Sequence, residues 1–212
     1  MPLIVKAVVV DLDDTAVRYI DGLNGFYSIW AEQGINRELA EQATLELCDE
    51  FCFTFENMIA RLRRHNPRID PPALLRRLNT WFAENLQSYP DTNHYLTAWL
   101  QEKPVIILTA GNAEFQWPKL RSANVPYQEV FFASPADGKA RYLHALMRRF
   151  GTPIAFIDDQ GENLDGIRRH GMTAAEVITF LMRRPDLPQK LGSRHYHHVV
   201  RDFCEVNRLI QG

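Results

Sequence analysis

The feature that most constrains this chain is the junction at Asp11, where an apolar run stops abruptly in Asp-Leu-Asp-Asp-Thr. The run from Leu3 to Val10 is apolar at every position but Lys6 and rich in β-branched residues. It lacks the alternation of a half-solvated strand, so it predicts a strand buried on both faces, as in a parallel sheet. Asp11, Asp13 and Asp14 then place three carboxylates within four residues, which repel one another unless a cation gathers them. Hard oxygen ligands of this kind suit magnesium. An acidic turn capping a helix, with Thr15 or Asp14 as the cap, would use the same residues. The rest of the chain separates the two readings.

Two further runs are as strong as the first, Pro104 to Leu108 and Ile154 to Ile157. Val130 to Ala133 is a shorter candidate, and Ala175 to Phe180 is weaker and compatible with a helix. Helical patterns fall between them, at Ala113 to Ala123, Lys139 to Phe150 and Asn163 to His170. Strand and helix in alternation predict a doubly wound α/β fold with a parallel sheet, whose ligand crevice lies at the carboxyl ends of the strands. Polar residues sit at those ends. Asp158-Asp159 follows the third run, a second acidic pair on the edge expected for Asp11. Thr109 ends the second run before Ala110-Gly111, a hydroxyl next to a small flexible turn that suits an oxyanion. Lys139, at the start of a helix, offers the positive charge that clustered acids and a phosphate need, although a lone lysine is ordinarily a solvated surface residue.

The interval from Ala16 to about Leu100 has a different texture, with no convincing strand. Amphipathic stretches run from Phe26 to Glu32, Arg37 to Phe51, Phe55 to His65, Pro72 to Gln87 and Asn93 to Gln101, separated by Gly and Pro. Most of it reads as an inserted helical domain. The expected division is a core of residues 1–16 and 92–212 around a helical domain of residues 17–91. The run Phe51, Phe53, Phe55 fits no single helix face. Arg61 to Arg64 and Arg76-Arg77 read as solvated faces.

A formal net charge of −2 predicts no strong attraction to nucleic acid or an anionic membrane. No apolar stretch approaches the roughly 20 residues needed to cross a bilayer. The first apolar run leads into acids rather than a small-residue cleavage site, so no secretory signal is expected. Three cysteines, Cys48, Cys52 and Cys204, provide no disulfide framework and favour a reducing cytoplasm. Cys48 and Cys52 read as core packing rather than metal ligands. The histidines of Arg194-His-Tyr-His-His198 read as a surface loop before a last helix.

Taken in order, Asp11-Leu-Asp13-Asp14-Thr15, then Thr109, Lys139 and Asp158-Asp159 with Asn163, resemble the four sequence motifs of the haloacid dehalogenase (HAD) superfamily. The phrase Phe-Ile-Asp-Asp-Gln-Gly-Glu-Asn-Leu is especially similar to members with a helical cap inserted after the first motif, where the interval from Ala16 lies. Asp14 stands where many relatives have Gly. The resemblance implies a Rossmann-like core and a phosphatase that hydrolyses a small phosphorylated metabolite. Asp11 would form an aspartyl-phosphate, and Asp13 would serve as general acid and base. Mg2+ would be held by Asp11, the Asp13 carbonyl and Asp159. Thr109, Lys139 and the amides of Ala110 and Gly111 would hold phosphoryl oxygens, with Asp158 and Asn163 in support. Relatives that cleave carbon–halogen bonds usually lack the equivalent of Asp13. In the cap, Arg18, Tyr19, Tyr27 and Trp30 are candidates to face substrate, and Gly22 and Gly25 are candidate hinges. The alternatives are a non-catalytic binding module of the same fold and phosphotransfer or another HAD chemistry. A response-regulator receiver also carries acids, a Thr and a Lys, but it is shorter and has no helical insertion.

Overall fold

A computed structural model describes residues 3–134, 138–187 and 194–211. In chain order the first elements are β1 (Val8–Val10), β2 (Val17–Tyr19), α1 (Asn24–Glu32), α2 (Arg37–Asp49), α3 (Phe55–Leu62), α4 (Pro71–Asn85) and β3 (Leu86–Ser88). There follow α5 (Thr92–Leu100), β4 (Val105–Ala110), α6 (Ala113–Ser122), β5 (Glu129–Ala133) and α7 (Gly138–Phe150). The last are β6 (Ile154–Asp158), α8 (Gly161–Arg169), β7 (Val177–Met182), β8 (His198–Val200) and α9 (Phe203–Gln211).

Six strands form one sheet in the order β5-β4-β1-β6-β7-β8, and every neighbouring pair runs parallel. The doubly wound α/β class expected from the sequence is present. Both faces are covered, so β1, β6 and β7 are buried at every residue, and apolar runs without alternation are the result. Ala7, Val9, Ile106, Leu108 and Phe156 pack on one face with Leu143 of α7 and Leu164 of α8. Successive side chains alternate faces, so Val8, Val10 and Ile107 turn the other way. Trp99 of α5 meets Phe203 of α9 edge-on at 5.7 Å, and its indole N–H donates to Asn207 Oδ1 at 2.8 Å, so a large apolar group is buried with its polar atom satisfied.

The chain separates into two compact units. The first contains residues 1–17, 88–110 and 124–212; the second contains residues 18–87 and 111–123. Helix α6 therefore groups with the inserted helices, whereas a boundary at residue 91 would leave it with the sheet. Aromatic packing inside the second unit explains this, because Phe115 of α6 lies 5.3 Å from Phe55 and 5.7 Å from Phe82, ring centre to ring centre. Phe53 joins them at 4.7 Å from Phe115, so the Phe51 to Phe55 run serves a cluster rather than one helix face. Helices α2, α3 and α4 start on side-chain caps: Asn36, Thr54 and Asp70 each accept an amide of the following turn.

Several expectations need correction. The interval holds two short strands, β2 and β3, paired with each other where the chain passes between units; three residues are too few to carry a period. Ala175 to Phe180, ambiguous in sequence, lies largely in β7, and His198 opens the edge strand β8 rather than a loop. Cys48 is exposed and Cys52, beyond the end of α2, is half-buried, so neither is core. Gly25 is no hinge: it lies in α1, and a Cβ there would stand 2.3 Å from Asp21 Oδ2 and 2.4 Å from Trp81 Nε1. Among the described residues no helix is long and apolar enough to cross a membrane.

Gly25→Ala sets two effects against each other. Alanine gains about 1 kcal/mol of helix propensity, but the clash displaces Asp21 from the amide of Gly25, to which it is bonded at 3.0 Å. Overpacking wins, and a net loss of about 1–2 kcal/mol is expected, read as a lower denaturation midpoint; an unchanged or higher midpoint would contradict this packing.

Candidate active site

The register of the sheet decides which acids meet. Val10 of β1 pairs with Ile157 of β6, and the Asp11 amide donates to the Ile157 carbonyl at 2.9 Å. Asp11 and Asp158 therefore leave adjacent strands at the same level, where the strand order turns back on itself. Asp11 is 5%, Asp158 0% and Asp159 4% exposed. One oxygen from each lies within 4.8 Å of the other two. At an effective dielectric constant near 20, each such pair of like charges costs about 3–4 kcal/mol.

Lys139, in the first turn of α7 and 6% exposed, partly offsets that cost. Its Nζ donates to Asp11 Oδ1 at 2.5 Å and to Asp158 Oδ2 at 2.6 Å. Burial works against the charge on this ammonium, but Asp11 and Asp158 outweigh it and hold the amine above its usual range. The Asp11 carboxyl is pushed well above the usual carboxylate range, first by burial and then by Asp158 and Asp159, with Lys139 opposing. Counted as fully ionised, three carboxylates against one ammonium would leave two negative charges in excess. A divalent cation bound by hard oxygen atoms fits both that deficit and the donor set.

Asp158 is bonded on several sides. Besides Lys139 it accepts the Gln160 amide at 2.8 Å and Asn163 Nδ2 at 3.1 and 3.0 Å. These bonds tie Asp158 to Lys139 and put Asn163 in contact with the cluster through Asp158. Asp159 holds the third position, and Arg183 donates to its carbonyl at 3.2 Å.

The segment after Asp11 closes on itself. The Leu12 carbonyl accepts the amides of Ala16 and Val17 at 2.9 Å, and the Asp14 amide donates to Val17 at 2.8 Å. Asp13 bridges to Val17 and is half-buried. Asp14 has φ of 59°, the left-handed conformation that Gly adopts freely and Asp tolerates, which accounts for an Asp where many relatives have Gly.

Thr109, 1% exposed, reaches the same edge from β4, the other neighbour of β1. Ala110 ends that strand. Gly111 follows with φ of +123°, and a Cβ there would stand 2.7 Å from Gln116 Nε2, so only Gly serves. Of the expected site residues, Asp11, Asp158, Asp159, Lys139 and Asn163 are joined around one cluster, Thr109 and Ala110 share its edge by register, and Gly111 opens the segment that groups with the helical unit.

The other candidates have different roles. Tyr27 and Trp30 are buried within the helical unit, and Tyr19 stacks on Trp81 at 5.1 Å. Lys119 is buried with its ammonium 4.7 Å from the Phe115 ring. Arg61 bridges Glu46 and Glu50, and Arg77 pairs with Glu32. In the tail, His197 Nδ1 accepts the Thr179 amide at 2.9 Å and His198 stacks on Phe180 at 5.2 Å. Sequence reasoning passes over Arg183 and Arg184 because the apolar run before them does not declare itself a strand; with β7 in place, they occupy its carboxyl end.

Comparison with known proteins finds the same fold elsewhere. An L-2-haloacid dehalogenase is similar over 97% of this chain and 98% of its own, at 16% identity and a TM-score of 0.68. The HAD-hydrolase YfnB from Bacillus subtilis, bound to magnesium, is similar over 99% and 100%, at 15% identity and 0.64. A HAD family hydrolase from Deinococcus radiodurans R1, with bound phosphate and sodium, is similar over 99% and 96%, at 19% identity and 0.61. At these identities the likeness is one of fold. No curated protein matches the sequence. Residues 5–171, most of the chain and all of the acidic cluster, match the haloacid dehalogenase-like hydrolases, and the chain belongs to that family.

Proposed function

We propose that this hydrolase is a magnesium-dependent phosphatase acting on a small phosphorylated metabolite. The observation that carries the reading is the buried cluster itself: Asp11 at the end of β1, bonded to Lys139 and crowded by Asp158 and Asp159, with Asp13 two residues on. Asp11 attacks phosphorus in line, a P–O bond to its carboxylate forms, and the bond to the leaving oxygen breaks. Asp13 gives its proton to that oxygen. In the second half Asp13 takes a proton from water, whose oxygen attacks phosphorus, releasing phosphate and restoring Asp11. Splitting the reaction this way needs one proton carrier and one nucleophile, and two alternate residues of one turn supply both.

Asp11, the Asp13 carbonyl and Asp159 are the groups assigned to Mg2+, which would offset charge between nucleophile and phosphoryl oxygens. Among the described residues, two of the three N–H donors of Lys139 go to Asp11 and Asp158, and the third is assigned to a phosphoryl oxygen. Thr109 and the amides of Ala110 and Gly111 are assigned to the remaining oxygens.

A second reading is dehalogenation, favoured by the L-2-haloacid dehalogenases among the similar structures. There Asp11 would attack carbon, and halide would leave without a proton, so Asp13 would be idle. The presence of Asp13 is the reason for preferring phosphate esters. A binding module without turnover would leave both aspartates idle.

A panel of phosphorylated metabolites and an aryl phosphate, run beside 2-haloacids with halide detection, separates the three. Phosphate release that chelation abolishes and magnesium restores is expected. Halide release without added metal would replace this reading with dehalogenation, and no turnover on either panel would favour the binding module. Asp11→Asn is expected to abolish phosphate release, and Asp13→Asn to lower kcat by roughly 10²–10⁴-fold, both measured on the aryl phosphate. An active Asp11→Asn protein would sink the mechanism.

A further inference from the structure

Arg184, two residues beyond β7, is an arginine that the fold buries to 6% exposure. Its Nε and Nη2 donate to the carbonyl of Thr15 at 3.1 and 2.7 Å, and its Nη1 donates to both oxygens of Asp91 at 2.9 Å. The guanidinium carbon lies 4.0 Å from the centre of the Tyr89 ring and 4.9 Å from that of Phe203. Asp91 Oδ2 also accepts the amide of Phe203 at 2.6 Å. All of these residues belong to the unit that contains the sheet.

Taking a guanidinium out of water is costly unless its donors are met with good geometry. Here the charge is met by Asp91, and Nε and Nη2 each donate to one main-chain carbonyl 169 residues away in sequence. That carbonyl belongs to the closed turn from Leu12 to Val17. The next carbonyl, of Ala16, is also held, by the Tyr89 amide at 3.1 Å and by Oγ1 of the fully buried Thr92 at 2.8 Å. Two successive peptide planes, Thr15–Ala16 and Ala16–Val17, are thus fixed by residues outside the turn, beginning two residues after Asp13. A lysine offers no planar fork for this arrangement, and a surface role would not need it.

We infer that Arg184 is a positioning residue for the Asp11–Asp13 turn: by clamping the Thr15 carbonyl to Asp91 it sets where the Asp13 carboxyl stands relative to Asp11. The catalytic part of this inference rests on the phosphatase reading above; the structural part does not. Arg184 touches neither carboxylate, so its effect passes through the backbone of residues 13–16. Displacement of a reacting group by about 1 Å can cost roughly 10²-fold in rate.

The test uses the full chain and two readouts. With an aryl phosphate and magnesium, Arg184→Ala is expected to lower kcat by roughly 10²-fold while KM stays within about threefold. Added guanidinium should recover part of the loss, and Arg184→Lys should recover little. In hydrogen exchange, the amides of Ala16 and Val17 should exchange faster in Arg184→Ala while those of β6 stay protected. Should Arg184→Ala fail to fold, Arg184→Lys carries both measurements. A folded variant with lower thermal stability but unchanged kcat would overturn the positioning role, and so would unchanged exchange at residues 16 and 17. If the wild-type protein turns over no phosphate ester, the functional reading falls, and the exchange measurement still decides whether Arg184 holds the turn.

Discussion

The double hydrogen bond from Lys139 to Asp11 and Asp158 is the interaction on which the rest of the site depends. Without a cation, three desolvated carboxylates this close would not stay ionised together. With one ammonium the fully ionised cluster would still carry excess negative charge, which a further cation would offset. Removing the ammonium would leave buried charge uncompensated, a far larger disturbance than losing a surface ion pair. Around this bond the other contacts have clear purposes. Asn163 and the Gln160 amide hold Asp158 so that it can hold Lys139.

The sheet makes the meeting possible. Parallel pairing of β1 with β6 carries Asp11 and Asp158 to one level, and pairing of β1 with β4 brings Thr109 to the same edge. The turn after Asp11 is shaped by the left-handed Asp14 and by bonds back to Leu12. Its outward carbonyls are fixed by Arg184, Tyr89 and Thr92. The positions of Asp11 and Asp13 are thus set by main-chain bonds, which would suit chemistry that depends on small displacements.

Much of this is legible in the sequence, for a physical reason. Strands buried on both faces must be apolar throughout, so β1, β4 and β6 announce themselves, and the polar residues that end them are conspicuous. Asp11, Thr109 and Asp158-Asp159 therefore stand out from the residues alone. Lys139 is suggested only by its company, because nothing in a lone lysine says that it is buried. What stays hidden depends on pairings distant in sequence. Arg184 meets Thr15 and Asp91 across most of the chain, and the β7 run is too ambiguous to draw attention to its end. Phe53, Phe55 and Phe115 form a cluster only once α6 packs with the inserted helices. Gly25 resembles a hinge because a glycine needed for close approach reads the same as one needed for freedom.

The most direct test of the phosphatase mechanism is to find the covalent intermediate. The protein, loaded with magnesium and a turned-over phosphate ester, is quenched in acid within the burst, digested and analysed by mass spectrometry. An aspartyl-phosphate mechanism predicts one phosphoryl group on the peptide that contains Asp11, absent from Asp11→Asn and lost on treatment with hydroxylamine. A phosphoryl group on any other residue, or turnover with no modified peptide at any quench time, would contradict Asp11 as the nucleophile.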